Sequence, residues 1–98
     1  MSRRLYVLVR KDLPKNQAAV QAGHAVGEFL LRGPNSVWGN GTLIYLGVRD
    51  LRELNYWIEV IDKKGYCPVG FKEPDMDNEL TAFAVECPSD VVKDLRLF

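Results

Sequence analysis

Apolar side chains occupy consecutive positions from Leu5 to Val9, so both faces of this segment are apolar. That pattern predicts a strand buried on both sides, and so a central one. After Pro14 the period changes to that of a helix: Ala18, Ala22, Ala25 and Phe29, with Ala19, Val26 and Leu30 beside them, run to about Arg32. Pro14 suits a first turn because it lacks an amide hydrogen that such a turn leaves unpaired. Gly33-Pro34 is the expected stop. Gly23 and Gly27 each cost about 1 kcal/mol in a helix interior, which predicts that the helix backbone lies close to a sheet there.

Residues 34–41 read as a loop, with Trp38 as a plug over the core or, alternatively, an exposed stacking surface. Thr42 to Val48 forms a second strand. Asp50, with Glu53 three residues on, has the spacing of a capping box. Leu51, Leu54, Trp57, Ile58 and Ile61 then mark a second helix with Trp57 in its core face, stopped at Gly65. Tyr66 to Phe71 is a short third strand, and Pro68 puts it at an edge or marks a strand start. An acidic turn, 72–79, leads into a fourth strand from Leu80 to Glu86. Strict alternation there puts Leu80, Ala82 and Ala84 on one face and Thr81, Phe83 and Val85 on the other. Ser89 is placed to cap a short terminal helical segment ending in Leu95-Arg96-Leu97-Phe98.

The order β-α-β-α-β-β with a terminal helix predicts one α/β domain over residues 1–98. It is a four-stranded mixed β-sheet with helices packed against it. Two strand-helix-strand units make the sheet mainly parallel, and the tight turn before the last strand forces one antiparallel pair. A chain of 98 residues supports one core. The longest apolar runs, Leu43–Leu46 and Ala82–Val85, are strand-sized, which predicts no membrane span. Arg3 and Arg4 run straight into strand material, unlike the apolar centre of a signal peptide. Cys67 and Cys87 have no metal-ligand companions and are read as two buried free thiols rather than a disulfide, in keeping with a cytoplasmic location.

Net charge is zero, which argues against indiscriminate nucleic-acid binding. Its distribution is uneven. Residues 1–32 carry six basic side chains against Asp12 and Glu28, a local balance of +4, and the remainder carries −4. This asymmetry allows a basic patch at one end, or simply a solvated surface.

Candidate chemistry gathers on the first helix. Gln17, Gln21, His24 and Glu28 make a polar stripe at i+4, i+3 and i+4 spacing, and His24 is the only histidine. Ligands in such folds sit beyond the carboxyl ends of parallel strands. Lys11 to Gln17 and the turn 72–78 are both expected there, bringing Lys11 and Lys15 toward Glu73, Asp75 and Asp77. Opposed charges of this kind could bind a phosphate, position a water or only stabilise the fold. The acidic turn lacks the further ligands of a calcium loop, so no metal site is assigned. Ser36 and Ser89 stand in no nucleophile-elbow context, and no phosphate-cradling glycine loop is present, so no cofactor is implied. His24 is either a packed core or surface residue of the helix or a base or hydrogen-bond donor of the site.

Arg10-Lys11-Asp12-Leu13 followed by Ala19-Val20-Gln21-Ala22-Gly23-His24-Ala25 resembles the peptidyl-tRNA hydrolase type 2 family. That family opens with a strand ending Arg-x-Asp-Leu and a helix bearing Ala-Ala-Gln-x-x-His-Ala. The order of elements agrees along nearly the whole chain, with Phe71–Asp75 approaching the family's acidic loop and Leu80–Val85 as its last strand. Three features depart from the family: its helix-start lysine falls on Gln17, the glycine and threonine of its Asp-x-Gly-x-Thr loop have no counterparts, and the turn from Asp75 to Thr81 is shorter. The resemblance implies hydrolysis of the ester between a peptide and the terminal ribose of tRNA. It casts Asp75, or Asp77, as the carboxylate that positions water. Lys15 or Lys11 becomes the cation near the oxyanion or terminal phosphate, and Thr81 and His24 become hydrogen-bonding supports. Arg10, Lys11, Gln17, Gln21 and Asp77 are expected to contact substrate, with the tRNA acceptor end as partner. A homodimer is compatible with so small a domain. The alternative is a binding module on the same fold, taking an RNA end, a nucleotide or a protein without turnover.

Overall fold

The computed structural model describes residues 4–33 and 36–98. Arg3 of the basic amino-terminal third and Pro34 of the helix stop lie outside the described residues. In chain order the elements are β1 (Arg4–Arg10), α1 (Lys15–Arg32), β2 (Thr42–Val48), α2 (Leu51–Lys63), β3 (Val69–Glu73), β4 (Glu79–Glu86) and β5 (Arg96–Leu97). The strands form one mixed sheet in the order β3-β4-β1-β2-β5. β1 and β2 pair in parallel, and every other neighbouring pair is antiparallel.

Two expectations are corrected. The sheet has five strands, because Arg96 and Leu97 pair with Gly47 and Leu46 instead of ending a terminal helix. Only a 3₁₀ turn at Ser89–Val92 precedes them. The sheet is also mainly antiparallel. The crossover through α2 passes over two strand positions, and β4 returns into the gap between β3 and β1.

The helices cover opposite faces of the sheet and enclose two cores. On one face Ala18, Ala22, Ala25 and Phe29 of α1 meet Leu5, Val7, Val9, Ala82 and Ala84. On the other, Leu54 and Ile61 of α2 meet Tyr6, Leu8, Leu46, Val48, Phe83 and Val85. The alanines make α1's close approach. Gly23 and Gly27 do not, since a Cβ at either would meet no atom within 4 Å. Ala19 and Leu30, read from the sequence as part of the apolar stripe of α1, are exposed. Trp38 is buried in the α1-side core as a plug, its indole N–H donating to the Thr42 carbonyl at 2.9 Å. Trp57 is half-buried against the α2-side core.

Asp50 caps α2 by accepting from the Glu53 amide at 3.0 Å. Glu53 reaches back to the Arg49 amide and guanidinium, one residue beyond the usual box partner. Gly65, with φ 92°, provides the left-handed stop behind α2.

The cysteines differ from expectation: Cys87 is buried but Cys67 is exposed. Burial, with a smaller contribution from Asp90, pushes the Cys87 thiol up to about 11. At pH 8 we expect one thiol per folded chain to react promptly with an aromatic disulfide reagent, and the second only after unfolding. Two fast equivalents from the folded protein would contradict this burial.

Candidate functional site

The site originates in an irregularity of the sheet. β3 and β4 pair Phe71 with Ala82 and Lys72 with Leu80, so Thr81 has no partner in the β3 ladder. A bulge of this kind re-aims side chains. Leu80 joins Phe83 and Val85 in the α2-side core, correcting the alternation read from sequence. Thr81 turns toward α1 instead. Its buried hydroxyl donates to Gln21 Oε1 at 2.7 Å, and Gln21 Nε2 donates to Glu73 Oε1 at 2.8 Å. The bulge, the first turns of α1 and the end of β3 are thereby tied into one chain of hydrogen bonds.

A second network holds the other side of the bulge. Arg10, at the end of β1, is 6% exposed. It grips Asp12 through Nε and Nη2 at 2.9 and 2.7 Å. Its Nη1 bonds Glu79 and donates to the Leu80 carbonyl at 3.2 Å, next to the bulged residue. The hydrogen bonds from Arg10 hold the Asp12 carboxyl below its ordinary range. The same pairing with Asp12, ahead of Glu79, raises the guanidinium's already high pKa. Arg10 thus braces the fold from within, whereas sequence reasoning put it in contact with substrate.

Above the first of these networks lies a cleft of about 470 Å³ lined by Asn16, Gln17, Val20, Gln21, Glu73, Asp75 and Met76. Asp75 sits on a 3₁₀ turn, Pro74–Met76. Asp77 and Asn78 fold that turn back with φ of 54° and 60°, and the Asn78 amide donates to the Glu73 carbonyl at 2.9 Å. Left-handed backbone is tolerated best by Asn, Asp and Gly, which accounts for both residues.

The expected convergence of helix start and acidic turn is therefore present, but for only part of the expected set. Gln17, Gln21 and Asp75 share the cleft, with Thr81 beneath it through Gln21. Lys11 and Lys15 instead line a separate hollow with Leu13, Leu97 and Phe98. Asp77 is exposed at the turn and does not line the cleft. His24, one turn along α1 from Gln21, is exposed and stacks on Phe71, with ring centroids 4.4 Å apart and planes 12° apart. Sequence reasoning missed Asn16, Val20 and Met76 as cleft walls, and Glu73 as the anchor of Gln21. Only Asn16, beside Gln17 at the helix start, carried a signal that could have been used. Among the described residues no group of three or more His, Cys, Asp or Glu could hold a metal ion.

Thr81→Val would leave the buried Gln21 oxygen without its donor. We expect a loss of about 1–3 kcal/mol in denaturant unfolding, largely restored by Thr81→Ser. A valine variant as stable as the parent would show that the hydroxyl contributes nothing.

No protein-family model and no curated protein matches the chain. Among solved structures, the chain is similar to a protein of unknown function from Agrobacterium tumefaciens strain C58. The two share 12% identity and a TM-score of 0.72, over 100% of this chain and 98% of the other. At that identity the likeness shows a shared fold, a compact α/β domain with a mixed sheet and two helices.

Proposed function

We propose that the protein is an ester hydrolase of the peptidyl-tRNA hydrolase type 2 kind, cleaving the bond between a peptide and the terminal ribose of tRNA. The observation that carries this reading is the hydrogen-bonded chain Thr81–Gln21–Glu73 beneath a cleft that Asp75 lines. The resemblance in Arg10–Leu13 and Ala19–Ala25 supports it, since Gln21 lies inside the second motif.

In this mechanism Asp75 accepts a hydrogen bond from water and takes its proton as the oxygen attacks the ester carbonyl. The side-chain amides of Asn16 and Gln17, on the facing wall, donate to the carbonyl oxygen as charge develops. Collapse of the tetrahedral intermediate expels the ribose oxygen, which recovers the proton from Asp75. Gln21 positions the wall: Thr81 donates to its oxygen and its nitrogen donates to Glu73, so a flipped amide would turn its oxygen onto the Glu73 carboxylate and lose that bond. The scheme uses no cofactor, and a tRNA substrate places the protein in the cytoplasm. Among the described residues no helix is long and apolar enough to cross a membrane.

A second reading, a binding module without turnover, is favoured by one observation: among the described residues no lysine lines the cleft. Neutral donors hold an oxyanion less strongly than an ammonium does. The readings separate when the purified protein is incubated with an N-blocked aminoacyl-tRNA. Release of the blocked amino acid supports the hydrolase. Salt-sensitive binding without release at high protein concentration supports the module.

A further inference from the structure

The two lysines absent from the cleft share a hollow of about 300 Å³ with Leu13, Leu97 and Phe98. The first turn of α1 stands between the two depressions: Lys15 lines this one, while Asn16 and Gln17 line the cleft. We propose that this second hollow binds the single-stranded end of an RNA, with backbone phosphates on Lys11 and Lys15 and an unpaired base against Phe98. The proposal rests on the RNA substrate of the preceding reading and adds where that RNA lies.

Four observations carry it. First, among the described residues no Asp or Glu lines the hollow and neither lysine is in an ion pair. Second, the Lys11 stem is laid along the sheet over Gly47, where a Cβ would stand 2.4 Å from Lys11 Cε. The glycine therefore leaves room for a cation held at the sheet surface. Third, Arg96 pairs with Gly47 in the β2–β5 ladder. Directly opposed residues share a face, so Arg96 lies on the same face of the sheet as the Lys11 stem, outside the lining of the hollow. Fourth, Phe98 is held in place by its amide, which donates to the Tyr45 carbonyl at 3.0 Å, yet it stays 37% exposed. Cations beside an available aromatic ring suit a single strand, whose phosphates need charge and whose bases stack without sequence preference. A strand lying across the helix start would have its phosphates on the lysine side and deliver its terminal ester to Asp75.

The test is equilibrium binding of a labelled single-stranded oligoribonucleotide ending in CCA, measured by anisotropy at several salt concentrations. It contains no ester, so it reads binding whether or not the protein hydrolyses anything. For the double variant Lys11→Gln/Lys15→Gln we expect affinity at low salt to fall about tenfold or more. The slope of log K against log salt should flatten by about 1.4, the share of two phosphate contacts on a single strand. Phe98→Ala should weaken binding about fivefold or more. Gly47→Ala keeps every charge but displaces the Lys11 stem, and should weaken binding by a smaller factor. Lys63→Gln/Lys64→Gln, the same charge change at the far end of α2, should leave affinity within about twofold. Wild-type affinity and slope in the Lys11/Lys15 variant would overturn the proposal, as would no binding by the parent protein or a preference for an acidic peptide. Peptide release by a protein whose Lys11/Lys15 variant binds RNA normally would sink this subsite alone and leave the hydrolase reading standing.

Discussion

Replacing Asp75 with alanine is expected to lower the rate of release from N-blocked aminoacyl-tRNA by about 10²–10⁴-fold, the usual worth of a positioned general base. Asp75 lines the cleft on a tight turn and is free of any ion pair among the described residues, so its removal unbalances no other side chain. The loss should therefore appear in kcat, with KM and the unfolding midpoint little changed. Asp75→Asn, which keeps the shape but not the basicity, should be nearly as slow. Thr81→Val should behave differently, reducing rate and stability together because it acts through Gln21. If Asp75→Ala releases product at the parental rate, the assigned base is wrong, and with it the hydrolytic mechanism for this cleft.

Arg10→Met is expected to cost about 2–3 kcal/mol of folding stability at pH 7. Breaking a fully buried ion pair costs about 3–5 kcal/mol. Here Asp12 and Glu79 keep 38% and 37% of their side-chain exposure, so water resolvates part of the charge left behind. The Leu80 carbonyl also loses a donor. The pH dependence has a definite sign. The folded Asp12 carboxyl titrates below its ordinary 3.8, so its pairing with Arg10 contributes fully above that value and is lost as pH falls through the lower folded one. Arg10 stays charged throughout. The gap between parent and variant, measured by urea unfolding, should thus be widest near neutrality and shrink below about pH 4. An unchanged gap at pH 3 would show that the packing of the arginine stem, not its charge, is what matters.

The two helices, β1 and the cap at Asp50 were legible in the sequence because each rests on local periodicity or a local hydrogen bond. The central place of β1 followed from apolar residues on both its faces. β5 was not legible. Arg96-Leu97 is a two-residue segment with no period, and it becomes a strand only because the edge of β2 is there to pair with it. The bulge was hidden for a similar reason. Residues 80–86 alternate cleanly as a string, and only the β3 register shows that Thr81 drops out of the ladder. The convergence of α1 with the acidic turn followed from strand polarity, so Gln17, Gln21 and Asp75 were placed together. The lysines were misplaced because topology fixes which end of the sheet a residue occupies, but not on which side of a helix turn its side chain leaves. Gly23 and Gly27 misled in the same manner. Close approach fell to the alanines of α1, while the glycines that accommodate a neighbour are Gly33, Gly47 and Gly70, against Phe29, Lys11 and Leu80.

The position of β1 has a consequence for synthesis. Its residue 4 pairs with residue 42, and its residue 5 pairs with residue 86. A ribosome emits the segment that will lie between β2 and β4 well before it emits β4. At about 5–20 residues per second, Leu5 to Val9 must wait for several seconds with one hydrogen-bonding edge open. During that interval the nascent chain displays an apolar, unpaired strand, and β4 is the piece whose arrival lets the sheet close around it.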